Sequence, residues 1–188
     1  ALLVELGVVD VAENREQEAR GKAAEVPEAR IHMIGQIQTK KANSVARWAA
    51  SVHSVDSVRL AEALDRGTAL AFERGDRATG VLPVYLQLSA DGDPARGGVL
   101  EEDLGALVEA VEAAEHLQLN GLMVVPPLDA DPAQVFARAR VLCRELEQRL
   151  GRPMELSAGM SADLEEAVAQ GSNIVRVGTG VLGARPLP

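Results

Sequence analysis

Short apolar runs alternate with charged, helix-periodic stretches along the whole chain. Val8–Val11, Ile31–Gly35, Ser51–Val55, Leu82–Ser89, Gly121–Val125, Met154–Ala158 and Asn173–Val177 read as strands, each bounded by polar or glycine-containing turns. Between them, Arg15–Glu25, Lys40–Ala50, Ser57–Leu64 with an extension toward Glu73, Glu101–Glu115 and Ala162–Gln170 read as helices. Ala1–Gly7 reads as the end of a helix closed by glycine. Asp56 is expected to cap the helix that follows it. Asp131-Pro132 supplies a second N-cap, with proline at the first helical position of a long helix running to Leu150.

About seven strands alternating with about seven helices imply one α/β domain, residues 1–188, around a parallel sheet. The sequence opens in a helix and stops soon after a strand. That order is expected of a (β/α)8 TIM-type barrel whose first strand is missing from the sequence given, since such barrels typically take ~250 residues. An open doubly wound sheet would tolerate the same count. No G-x-G-x-x-G opens the first strand–helix unit, however, so the barrel is favoured.

Composition narrows the function classes. The chain is 47% hydrophobic and 25% charged, with a formal net charge of −9. Its longest basic cluster is Lys40-Lys41, which gives no positive face for a nucleic-acid backbone. No apolar run approaches the ~18 residues of a membrane span, and no secretory-signal layout is present, so a cytoplasmic location is expected. Cys143, the single cysteine, lies in a helical run and reads as an inert core thiol.

The sharpest chemical feature is Arg176, inside the apolar run Asn173–Val177 and followed by Gly178-Thr179-Gly180. A guanidinium on a buried strand needs a partner. Beyond it, two glycines let backbone N–H groups approach a ligand, and Thr179 adds a hydroxyl, as in a phosphate cradle at a strand end. A tight turn beside a structural ion pair is the alternative reading of the same residues.

Several stretches, in order, resemble the pyridoxal-phosphate homeostasis protein family. His32-Met33-Ile34-Gly35-Gln36-Ile37-Gln38 with Lys41 is similar to that family's "HFIGxLQxNK" segment, and Ala12-Glu13-Asn14-Arg15-Glu16-Gln17-Glu18 to its "GENYVQE". Val52-His53-Ser54-Val55-Asp56 and Gly121-Leu122-Met123 followed by Pro126 resemble two further segments. Leu156–Leu164, Arg176–Thr179 and Gly183-Ala184-Arg185 resemble the closing motif. The resemblance implies a barrel of the alanine-racemase N-terminal type that binds pyridoxal 5'-phosphate (PLP) at the mouth formed by the strand C-termini. It implies a monomeric carrier in intracellular vitamin B6 homeostasis, with PLP-dependent apo-enzymes as recipients and no robust turnover of its own. The alternative is a racemase or decarboxylase of the same barrel class.

By the same resemblance, Arg176 would donate to the pyridine nitrogen, keeping it unprotonated and a poorer electron sink. Ser161, Gly178 and Thr179 would hold the phosphate. Asn14 would sit beside the ring, and Met160 and His32 would line the pocket. No metal is implied, and His53 and His116 read as structural. The family's cofactor-bonding lysine, which forms the internal aldimine, lies on the first strand and is expected upstream of Ala1. Lys22, Lys40 and Lys41 do not match it. A chain truly lacking that strand is expected to be destabilised and to bind PLP weakly and non-covalently. Ala12 replaces a family glycine, and Arg15-Glu16 replace Tyr-Val, which changes the polarity of the mouth.

Overall fold

The computed structural model describes residues 1–183. Six strands form one parallel sheet in strict chain order: β1 (Asp10–Glu13), β2 (Arg30–Met33), β3 (Ser51–Val55), β4 (Leu82–Gln87), β5 (Leu117–Met123) and β6 (Glu155–Ser157). The helices are α1 (Leu2–Glu5), α2 (Glu16–Glu25), α3 (Ala42–Trp48), α4 (Val58–Glu73), α5 (Leu104–Glu112), α6 (Pro132–Leu150), α7 (Leu164–Ala169) and α8 (Thr179–Leu182).

Strand alternation sorts the side chains onto two faces. Met33, Val52, Val84, Leu86, Leu119 and Leu156 point outward and merge with helix residues such as Val45, Leu64, Leu107, Val108 and Phe136 into one apolar cluster. Each fully buried leucine there contributes roughly 1.5–3 kcal/mol. The other face carries Asp10, His32, Ser51, His53, Tyr85, Glu155 and Ser157. In a (β/α)8 barrel the corresponding face is generally packed with branched apolar residues. Here much of it is polar.

Two expectations about local structure need correction. The N-cap of α4 is Ser57, not Asp56: the Ser57 hydroxyl accepts from the N–H of Leu60, and Asp56 accepts from the Ser57 hydroxyl instead. Asn173–Val177 is not a full strand. Its one ladder contact is the Ser157–Ile174 bridge, because β6 offers only three residues and the Ser172 hydroxyl before the segment spends its proton on the Ala158 carbonyl at 2.7 Å. The Asp131 cap holds as expected, accepting from the Ala133 N–H at 3.0 Å. Ala184 and Arg185, part of the closing motif, lie outside the described residues.

Candidate functional site at the C-terminal end of the sheet

Because every strand runs parallel, all the segments that follow strand C-termini lie on one side of the sheet. In parallel α/β proteins this is the side where ligands bind. Gly159, with φ +93°, makes the turn after β6. A Cβ there would clash with Ala167 on α7, so glycine is required twice over. Its carbonyl accepts from the Arg176 N–H at 2.9 Å, which ties the Arg176 segment to the turn. Two residues on, the Ser161 hydroxyl accepts from the Gly180 N–H at 3.0 Å. Ser161 and Gly178-Thr179-Gly180, 17 or more residues apart in sequence, are thereby brought together. Gly178 caps α8, and the N–H groups of Gly178 and Thr179 meet no acceptor among the described residues. Met160 is part-exposed in the same turn, its N–H held by the Asp163 carboxylate at 2.6 Å.

Arg176 is buried without a carboxylate partner among the described residues. The ion pair considered from sequence is replaced by two neutral acceptors. Nη1 donates to Ser157 Oγ at 2.7 Å and Nη2 to the Val124 carbonyl at 3.0 Å. Burial pulls its pKa down to about 10, partly opposed by Asp163, and the group remains a cation at neutral pH.

Asn14 and His32 lie on the β1–β2 side. Asn14 follows β1 and is exposed, with its carbonyl packed over Gly35. His32 contacts Ser51 Oγ through Nδ1 at 2.7 Å and Asp10 Oδ1 through Nε2 at 2.8 Å. Burial raises the Asp10 pKa, but the hydrogen bonds from Arg30 and His32 outweigh it and hold the carboxyl below its usual range.

His53, which reads as structural in the sequence, lies between these two groups. It is buried, with Nδ1 2.9 Å from Ser157 Oγ and Nε2 2.8 Å from Ser51 Oγ. Its ring stacks at 4.2 Å on Tyr85, whose hydroxyl donates to Glu155. Burial first, then the charges of His32 and Arg176, push the His53 pKa down to about 3. The spacing Ser51-x-His53 was the legible signal, since it puts both side chains on one strand face.

A cleft of about 260 Å³ opens beside these groups, between the segments after β2, β4 and β5. Gln36, Gln87, Ser89, Asp91 and Arg96 supply its polar lining, and none of the seven sequence-expected residues borders it. Arg96 is held by Asp91 at 3.1 Å and by the Val125 carbonyl at 2.9 Å. Among the described residues no group of three or more His, Cys, Asp or Glu side chains could hold a metal. Lys22 pairs with Glu13, and Lys41 with Glu16 at 3.3 Å.

Comparison with known proteins assigns the lineage. The family described as alanine racemase, N-terminal domain, matches residues 1–186. The pyridoxal phosphate homeostasis protein of Corynebacterium glutamicum is 56% identical over 186 residues, covering 99% of this chain and 84% of the relative. The chain belongs to the pyridoxal phosphate homeostasis protein family. PipY of Synechococcus elongatus, solved with PLP bound, superposes with a TM-score of 0.79 at 37% identity, over 92% of this chain and 80% of PipY. Alanine racemase from Corynebacterium glutamicum shares the fold, with a TM-score of 0.65 at 17% identity over 94% of this chain and 48% of the racemase. This member of the homeostasis protein family thus has an alanine-racemase-like α/β fold. None of its helices, among the described residues, is long and apolar enough to cross a membrane.

Proposed function

We propose that the protein binds pyridoxal 5'-phosphate at the C-terminal end of its sheet and carries it, as a cytoplasmic monomer, in the supply of PLP-dependent apo-enzymes. One observation carries the reading. Ser161 converges with Gly178-Thr179-Gly180 beside a buried arginine that has no carboxylate partner among the described residues, in a chain of this family. The donors suit the cofactor. The Ser161 hydroxyl and the N–H groups of Gly178 and Thr179 would hold a phosphate dianion. Arg176, already fixed at Nη1 and Nη2, retains Nε–H for the pyridine nitrogen. Asn14 and His32 would complete the ring's surroundings on the β1–β2 side, and Met160 would cover it.

When bound, PLP supplies an aldehyde for amines and a pyridine ring that can act as an electron sink. A guanidinium keeps its protons and leaves the pyridine nitrogen as an acceptor, which weakens the sink. That favours holding the cofactor over turning over amino acids. We place the covalent anchor on a lysine N-terminal to Ala1, on a further strand that pairs with β1 and closes the barrel. Support comes from the ion pairs that engage Lys22 and Lys41, and from the β1 edge, which among the described residues pairs with β2 alone on its other side.

The test is a PLP titration of the full-length protein, followed by visible absorbance and peptide mapping after borohydride reduction. Saturable binding is expected, with the reduced adduct upstream of Ala1. Ser161→Ala is expected to weaken binding about tenfold, as loss of a hydrogen bond to a charged group does. Competition by phosphosugars as effective as that by PLP would defeat the assignment. So would racemisation or decarboxylation of amino acids at ordinary enzyme rates.

A further inference from the structure

The polar face of the sheet is crossed by an unbroken series of hydrogen bonds from Arg176 to Asp10. The contacts are Arg176 Nη1 to Ser157 Oγ at 2.7 Å, Ser157 Oγ to His53 Nδ1 at 2.9 Å, and His53 Nε2 to Ser51 Oγ at 2.8 Å. They continue from Ser51 Oγ to His32 Nδ1 at 2.7 Å and from His32 Nε2 to Asp10 Oδ1 at 2.8 Å. Arg30 holds the far oxygen of Asp10.

The ends set the direction of every bond between them. Arginine can only donate and an ionised carboxylate can only accept, while a hydroxyl has one proton to give. Ser157 accepts from Arg176, and since a hydroxyl can accept twice it is the carboxylate end that, with both rings neutral, makes it give its proton to His53 Nδ1. His53 must then carry its proton on Nε2 and donate to Ser51. Ser51 in turn donates to His32 Nδ1, and His32 Nε2–H donates to Asp10. Reversing His53 would leave a bare Nε2 facing a hydroxyl whose one proton already goes to His32, and reversing His32 would aim a bare ring nitrogen at the carboxylate. With both rings neutral, one arrangement satisfies every group.

We propose that Ser157 and His53 are positioning residues for Arg176, holding its guanidinium at a fixed angle through a one-directional hydrogen-bond chain that terminates on the Asp10 carboxylate. The role assigned to Arg176 rests on the PLP-binding reading above; the chain and its direction do not. Neutral anchors matter chemically. A carboxylate at Ser157 would neutralise the guanidinium locally, whereas a hydroxyl leaves its full charge available to whatever Nε meets. The far carboxylate compensates that charge through four intervening groups. Charged or titratable groups around His53 are His32 from β2, Tyr85 from β4, and Arg176.

Two-bond 1H–15N correlation spectra of the cofactor-free protein test the chain directly. Both His53 and His32 are expected as neutral Nε2–H tautomers at pH 7. A charged His53, or one protonated on Nδ1, overturns the proposal. The same sample is expected to show slowly exchanging Arg176 guanidinium protons, lost in His53→Leu and retained in His53→Gln, whose amide can both accept and donate. Retention in His53→Leu, with its fold verified by circular dichroism, overturns the proposal as well.

Titration with PLP adds the functional readout. His53→Leu is expected to weaken binding about tenfold and shift the visible band of the bound cofactor, with His53→Gln within about threefold of the unmodified protein. Equal affinity and spectra in all three proteins would count against positioning. If the unmodified protein binds no PLP, the carrier reading fails, and the spectra of the cofactor-free protein still decide the chain.

Discussion

A Cβ on Gly35 would collide with the backbone carbonyl of Asn14, well inside the 3.0 Å that real Cβ atoms respect. The residue after β1 is thus held in place by the absence of a side chain after β2. Gly35 also accepts, through its carbonyl, from the Ser54 hydroxyl at 2.6 Å. Gly35→Ala is expected to push the β1 and β2 ends apart and to cost about 1–3 kcal/mol, as overpacking does. Urea denaturation measures the loss. A PLP titration should show weaker binding in the same variant, because Asn14 moves.

Stability should depend on His53 in acid. Its folded-state pKa, about 3, lies below the ordinary 6.5, so the unfolded chain binds the extra proton first. The contribution is fully present above about pH 6.5 and is lost as pH falls toward about 3. Asp10, held below its usual range, acts in the same sense at lower pH. Denaturation at a series of pH values should give a slope approaching one proton in this window. His53→Gln should flatten it, and an unchanged slope would remove His53 as its source.

Cys143 lies fully buried on α6, and burial raises its thiol to about pKa 11. Thiolate is the reactive form, so the native protein should resist alkylation at pH 8 and react stoichiometrically once denatured. The labelling rate then follows the opening of α6 from the sheet. Rapid reaction of folded protein would contradict the packing.

Arg77 closes the C-terminal end of α3 from outside the helix. Its Nη1 donates to the Ala46 and Ala49 carbonyls, both at 2.8 Å, while Nε and Nη2 reach Thr79 and Val81. These carbonyls belong to the group that a helix end leaves unpaired. Arg77→Met should cost about 2 kcal/mol, the scale of hydrogen bonds to a charged donor. Affinity for PLP should change little, since no site residue contacts Arg77.

Legibility in the sequence followed the range of the interactions involved. Ser51–Val55 and Pro132–Leu150 lie where pattern and cap place them, because a short β-prone run and an Asp-Pro start are local signals. β5 begins at Leu117, four residues before the expected start, since Leu117 and Leu119 alternate with Gln118 and Asn120 in strand fashion. Valines suggested a strand around Arg176, yet a three-residue neighbour allows one bridge there. Ser161 and Gly180 meet across 19 residues. The His53–Ser157 bond spans 104 residues, and no local spacing encodes it. Nor could the sequence reveal that Arg176 has neutral acceptors, because those come from β6 and the residue after β5 rather than from its own segment.

The chain-ordered sheet has a consequence for biosynthesis. Each of β2 to β6 pairs with the strand made just before it, so a polypeptide emerging N-terminus first can add strands to an edge that already exists. The polar chain has the opposite timing. Asp10, His32, Ser51 and His53 are in place early, but Ser157 and Arg176 are translated last. The guanidinium gains its acceptors only when the final turn docks, so completion of the fold and competence to receive a ligand arrive in one event.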